Sequence, residues 1–259
     1  MAKQKKFGII QSRGLGDIVI ALPIARAYHN EGYLVHWPIC EEFLPSVKDH
    51  VPWVKWIPLP TDPQGQFFYN EPMARLKNFG CDEIICLYQS LNVVPELSDQ
   101  PFFQIQHFDE FKYSKAGVPF LDKWCLDECI TRDPHREDAL RAKVGILDKK
   151  DLYYVTHFEG SDFTASPDLS SIPPEWRRID IKAGIADSIF DWLSVIENAQ
   201  ALIAVDSVIA NMVDQLKLEV DKYWIPRSHI HLTPVLGMAW TILDPPPGSR
   251  AAQKIFGSV

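Results

Sequence analysis

The stretch GIIQSRGLGDIVIALPIARAY, residues 8–28, constrains this chain more than any other. A short apolar run leads into Gly14-Leu15-Gly16, and apolar residues then crowd one helical segment: Ile18, Ile20, Ala21, Leu22, Ile24 and Ala25. Buried strand, glycine turn and helix in immediate succession open a βα unit, and such units build α/β folds on a parallel sheet. An acid, Asp17, stands at the start of the helix, where a phosphate-binding turn needs bare backbone N–H groups.

The turn keeps only two glycines of the dinucleotide fingerprint, Gly14 and Gly16, because Val19 fills the third position. Asp17 brings its own negative charge to the positive end of the helix and would repel a pyrophosphate. No Gly-Lys-Ser/Thr follows, which excludes a Walker loop. An NAD-dependent oxidoreductase is therefore disfavoured. Asp17 is open to two compatible readings. It can cap the helix N-terminus, a role Asp fills well. It can also present a carboxylate at the C-terminal edge of a parallel sheet, where ligands bind, and accept a proton from a hydroxyl.

Alternation continues along the chain. Strands are expected at 6–12, 33–39, 54–60 and 82–88, with helices over 16–31, 41–49 and 70–79 between them. Residues 90–132 are irregular and rich in aromatics, and a helix over 134–146 follows. The pattern then restarts with strands at 151–158, 177–184, 201–207 and 221–227, and helices at 188–199 and 208–218. Two α/β units imply two Rossmann-like lobes with parallel sheets facing a cleft. The expected division is an acceptor-side lobe over 1–148, with its irregular joint at 90–148, and a smaller donor lobe over 149–259. The end of that second lobe leaves room for a helix that crosses back.

The 259 residues carry a formal net charge of −8, which argues against non-specific nucleic-acid binding. A local patch of Lys3, Lys5, Lys6, Lys112 and Lys115 is the exception to weigh. The apolar run near the N-terminus is too short for a signal peptide, and no long apolar segment suits a membrane span. Five cysteines lack a disulfide-framework spacing, and Cys125 and Cys129 have no second pair to complete a zinc site. Reduced thiols, no metal and a cytoplasmic location are the expectation.

At this point two segments resemble one family. SRGLGDIVIALPIARAY and SIFDWLSVIENAQALIAVDSVIANMVDQL resemble the heptosyltransferase-like (ADP-heptose:lipopolysaccharide) glycosyltransferases. The resemblance implies the GT-B fold, a nucleotide-sugar donor as co-substrate with no other cofactor, and a metal-independent, inverting transfer. Asp17 matches the family's catalytic acid–base position. Asp206 and Ser207 match the loop that holds the donor's phosphates. Val208 and Asn211 depart from it, standing where the family usually has Gly and His.

The residues themselves support that assignment in part. A Ser207 hydroxyl and free amides from Val208 onward suit a diphosphate at a helix start. Lys182 and Arg13 are the candidate cations, with Arg13 able to reach phosphate or pair with Asp17. His157 and Ser161 sit at a strand end and in the loop beyond it. Gly184, with Ile185, stands where such folds hold a nucleobase by backbone contacts. Phe108, Tyr113 and Trp124 either pack the joint or line an acceptor site. The expected activity is sugar transfer to a hydroxyl of a glycan or of a hydroxymethylated DNA base. The alternative, favoured by Val208 and Asn211, is a catalytically silent nucleotide-sugar-binding module.

Overall fold

The computed structural model describes residues 4–60, 68–88, 107–148, 150–160, 164–226, 234–237 and 239–243. The chain divides into two compact units, 1–131 and 132–259. Each carries its own parallel sheet.

The first unit runs β1 (Lys6–Ile10), α1 (Leu15–Asn30), β2 (Leu34–Cys40), α2 (Leu44–Val47), β3 (Lys55–Leu59), α3 (Asn70–Asn78) and β4 (Glu83–Cys86). Its four strands lie in the order β3-β2-β1-β4, all parallel. Strand β2 is buried from Val35 to Cys40, as expected of an inner strand covered on both faces. Helix α1 ends where Gly32, at φ 92°, takes a left-handed turn that residues with a Cβ avoid. Ile10, Ile57, Leu76 and Tyr88 form a buried cluster on which α3 closes. Gly8 lets α3 approach β1, since a Cβ there would lie 2.9 Å from a Leu76 methyl.

The aromatic stretch expected to be irregular contains a further helix, α4 (Phe108–Ala116), then short 3-10 turns at Phe120–Trp124 and Leu126–Glu128. Helix α4 docks on α1 through two buried-end hydroxyls. Tyr113 donates to the Ile20 carbonyl at 2.9 Å and Tyr28 donates to the Ala116 carbonyl at 2.8 Å. The Lys123 ammonium meets the Asp109 carboxylate at 2.7 Å, with both side chains wholly buried.

The second unit comprises α5 (Pro134–Lys143), β5 (Tyr153–His157), β6 (Arg177–Asp180), α6 (Leu193–Glu197), β7 (Ala201–Val205), α7 (Val208–Gln215), β8 (Asp221–Ile225) and β9 (Trp240–Ile242). Its five strands are parallel in the order β6-β5-β7-β8-β9. Tyr154, Ala165, Ala201, Ile203, Val205 and Ile225 share one buried cluster. Strand β9 was not expected from the sequence. It is held by Asp214, whose carboxylate accepts from the Trp240 indole N–H at 2.9 Å and from the Gly237 N–H.

Other differences are local. The helix expected over 188–199 is split, a 3-10 turn at Ile189–Trp192 followed by α6. Helix α5, assigned by sequence to the end of the first lobe, falls in the second unit. Arg132, just before it, donates to both the Glu137 and the Glu197 carboxylates, and the Asp133 carboxylate caps the helix by accepting from the His135 and Arg136 N–H groups. No helix among the described residues is long and apolar enough to cross a membrane. The segment proposed to cross back lies outside the described residues.

Candidate functional site

In an open parallel sheet, ligands gather beyond the carboxyl ends of the strands at the point where strand order reverses. In the first unit that point lies between β1 and β4. Chain leaving β1 supplies Ser12 and Arg13, and chain leaving β4 supplies Tyr88. The Arg13 N–H donates to the Tyr88 hydroxyl at 3.0 Å, and that hydroxyl lies 3.1 Å from Ser12 Oγ. Burial pushes the Tyr88 phenol well above its ordinary range, so it stays neutral and serves as a fixed strut.

The turn beyond it is shaped by Gly14, at φ 78° and ψ 92°. Its carbonyl accepts the Ile18 N–H at 2.9 Å, the first bond of α1. Gly14 is therefore the N-cap. Asp17 is not, which corrects the capping expectation: the helix begins two residues earlier and Asp17 lies inside its first turn. A Cβ on Gly14 would meet Asp17 Oδ2 at 2.6 Å, so the bare glycine makes room for the carboxylate. Gly16 lies in the same first turn.

Asp17 Oδ1 is 3.0 Å from the Lys112 ammonium. Lys112 arrives from α4 and also donates to Gln11 Oε1 at 2.7 Å and to the Leu87 carbonyl at 2.9 Å. The lysine side chain is 3% exposed, while the Asp17 side chain remains 35% exposed. Lys112 is thus withdrawn from the surface patch considered above. Arg13 extends over the Phe68 ring at 5.5 Å, with its guanidinium 3.6 Å from the Glu42 carboxylate. Tyr113 is fully buried and serves packing. Phe108 lies against the Lys112 ammonium at 5.7 Å, and Trp124 is stacked edge-on to Phe120.

In the second unit strand order reverses between β5 and β7. His157 ends β5 and Ser207 follows β7, and His157 Nδ1 lies 2.8 Å from Ser207 Oγ. Burial lowers the His157 pKa to about 4, leaving the ring neutral at pH 7. Ser207 occupies the N-cap of α7 with extended backbone, yet its hydroxyl makes no capping bond. The helix start therefore keeps its orphan N–H groups, beginning at Val208. Asn211 Nδ2 donates to the Ser207 carbonyl at 2.9 Å, tying the helix to the turn. Asp206 is buried and its N–H donates to the Ile225 carbonyl at 3.1 Å, which joins the turn to β8.

Lys182 stands on the other side of β5. It lines a cavity of about 220 Å³ with Thr156, Phe158, Arg178 and Asp180. Burial alone would raise the Asp180 carboxyl, but hydrogen bonds from Thr156 and Arg178 outweigh it and hold the pKa below the ordinary value. Gly184 turns at φ 77° with open space where a Cβ would stand. Ser161 lies outside the described residues.

No protein-family model and no curated protein matches the sequence. Solved structures do match the fold. A family 9 glycosyl transferase from Veillonella parvula superposes with a TM-score of 0.56 at 11% identity, over 93% of this chain and 86% of that one. The ADP-heptose LPS heptosyltransferase II of E. coli gives 0.51 at 11% identity, over 92% and 90%. The chain shares the fold of the heptosyltransferases. The dodecameric, iron-containing heptosyltransferase TibC of E. coli, solved with ADP-D-beta-D-heptose, gives 0.51 at 9% identity, over 93% and 63%. These neighbours are glycosyltransferases, and what they share with this chain is the fold.

Sequence reasoning missed Lys112 and Tyr88 as parts of the site. Lys112 sits in FDEFKYSKA, where it lies among the buried residues Phe111, Tyr113 and Ala116 of α4. No local signal marked it, because charged and aromatic residues alternate through that helix.

Proposed function

We propose that the protein is a glycosyltransferase that moves a sugar from a nucleotide-diphosphate sugar to an acceptor hydroxyl. The observation that carries this is Asp17, a carboxylate left open beyond β1 and β4 while one of its oxygens is held by Lys112. In this reading the two units are GT-B lobes facing a cleft. The acceptor oxygen attacks the anomeric carbon as the bond to the diphosphate oxygen breaks, and its proton passes to Asp17. One displacement with one base inverts the anomeric centre. The leaving diphosphate is stabilised by the Ser207 hydroxyl, by N–H groups from Val208 onward, and by Lys182, without a metal. A neutral His157 serves here as the partner of Ser207, and the backbone at Gly184 flanks the nucleoside.

ADP-heptose heads the donor screen, because TibC was solved with it. The acceptor is a glycan hydroxyl in preference to a hydroxymethylated DNA base, since the net charge is −8 and Lys112 is buried rather than part of a basic patch. The protein acts where its acceptor is made, in the cytoplasm.

The test is donor screening by thermal shift, followed by turnover of wild type and Asp17→Asn with EDTA present. Asp17→Asn is expected to bind donor normally and lose 100-fold or more in turnover, about the contribution of a general base. Near-normal turnover in that variant would sink the assignment. Donor binding without transfer to glycan or to hydroxymethylated duplex identifies the silent binding module that Val208 and Asn211 favour.

A further inference from the structure

We infer that Lys112 is a positioning residue for Asp17: it fixes one carboxylate oxygen and so aims the other at the acceptor. The inference rests on the reading of Asp17 as the base.

A lysine ammonium has three N–H donors and no acceptor. Lys112 donates to Gln11 Oε1 at 2.7 Å and to the Leu87 carbonyl at 2.9 Å, and the ammonium so placed forms an ion pair with Asp17 Oδ1 at 3.0 Å. Two of these anchors belong to the sheet's own framework, Gln11 directly after β1 and Leu87 directly after β4. The ammonium is therefore held by the strand ends before it reaches Asp17. The other oxygen, Oδ2, lies over Gly14, in the space that a Cβ would take. Charge attraction from Lys112 favours this orientation of the carboxylate, and the missing Cβ leaves room for it.

An internal comparison separates this pair from an ordinary buried ion pair. Lys123 and Asp109 are both 0% exposed, so that carboxylate is closed to any substrate. Lys112 is as deeply buried, yet its carboxylate is 35% exposed. Neutralising Lys112 does not require an acid that faces solvent. A base placed about 1 Å off line loses roughly 100-fold in rate, so the orientation of that acid matters to turnover.

The test uses the full chain and the variants Lys112→Met, Asp17→Asn and the double variant, with Lys123→Met as the structural control. Crystal structures of wild type and Lys112→Met read the carboxylate directly. Release of ADP from ADP-heptose, with water or glycan as acceptor, reads turnover, and calorimetry reads donor stoichiometry and affinity. Lys112→Met is expected to turn the Asp17 carboxylate away from its wild-type rotamer. It is also expected to lower kcat 10- to 100-fold with donor KM and stoichiometry within twofold, and to cause no further loss in the Asp17→Asn background. Lys123→Met, acting on the fold alone, lowers the active fraction and melting temperature without that split. If Lys112→Met does not fold, Lys112→Arg is measured in its place, and the carboxylate is expected to shift with the longer side chain. An unmoved Asp17 carboxylate, or equal losses in the wild-type and Asp17→Asn backgrounds, would overturn the inference. Full turnover in Asp17→Asn instead removes the base reading, while the crystallographic comparison still decides whether Lys112 orients the carboxylate.

Discussion

Gly14 shows how much of the site depends on an atom that is missing. Its φ of 78° is strained for any residue with a Cβ, and the added carbon would press on Asp17 Oδ2. Gly14→Ala is expected to destabilise the first unit by about 1–3 kcal/mol and to reduce turnover, measured by denaturant melts beside the ADP-release assay. His157 supplies a pH test in the second unit. Its folded pKa of about 4 lies below the ordinary 6.5, so between those values the unfolded chain binds the extra proton. Its contribution to stability is complete above pH 6.5 and is lost as pH falls toward 4. His157→Gln is expected to melt with a weaker pH dependence across that window, by urea titrations at pH 7 and pH 5. At this scale the sequence marked Asp17 and Ser207 because strand–turn–helix junctions have a recognisable chemistry. It did not mark Lys112, because a buried lysine is defined by partners distant in the chain.

Among elements, most of the expected strands and helices recur with shorter ends, although β2 runs on to Cys40 and α1 begins at Leu15, since fraying and turn bonds set boundaries that periodicity does not. Helix α3 illustrates what was legible: its apolar positions and the stop at Gly80, φ 68°, both show in the sequence. Leu76 from that helix is fully buried against Ile10, Ile57 and Tyr88. Leu76→Ala is expected to cost roughly 2–5 kcal/mol by leaving a cavity, measured by chemical denaturation. The same substitution loosens the packing around Tyr88, the strut beneath the opening turn. Helix α4 and strand β9 were not legible. In α4, aromatics and charges interleave, and its buried residues Asp109 and Lys112 read as surface until their partners are known. In β9, only three residues pair with β8 and two of them are exposed, so the strand is too short to show a period of its own.

At the scale of the whole molecule, the proposal divides labour between the units. Asp17→Asn in the first unit is expected to change turnover and leave donor affinity alone, whereas Ser207→Ala in the second is expected to weaken donor binding several-fold. Calorimetry and steady-state kinetics on both variants separate the two effects, and identical profiles would count against the division. Two α/β units were legible because apolar strands and helices restart after residue 150. Helix α5 reads in the sequence as an end or a beginning, and in the structure Arg132 just before it is bound to Glu137 and Glu197. The bond between Lys112 and Gln11 spans 101 positions of sequence. During synthesis, therefore, the opening strand and helix emerge from the ribosome long before the lysine that completes them. Until then the nascent turn holds an acid with no cation beside it, and a chain cut short before α4 would carry the motif without its ion pair.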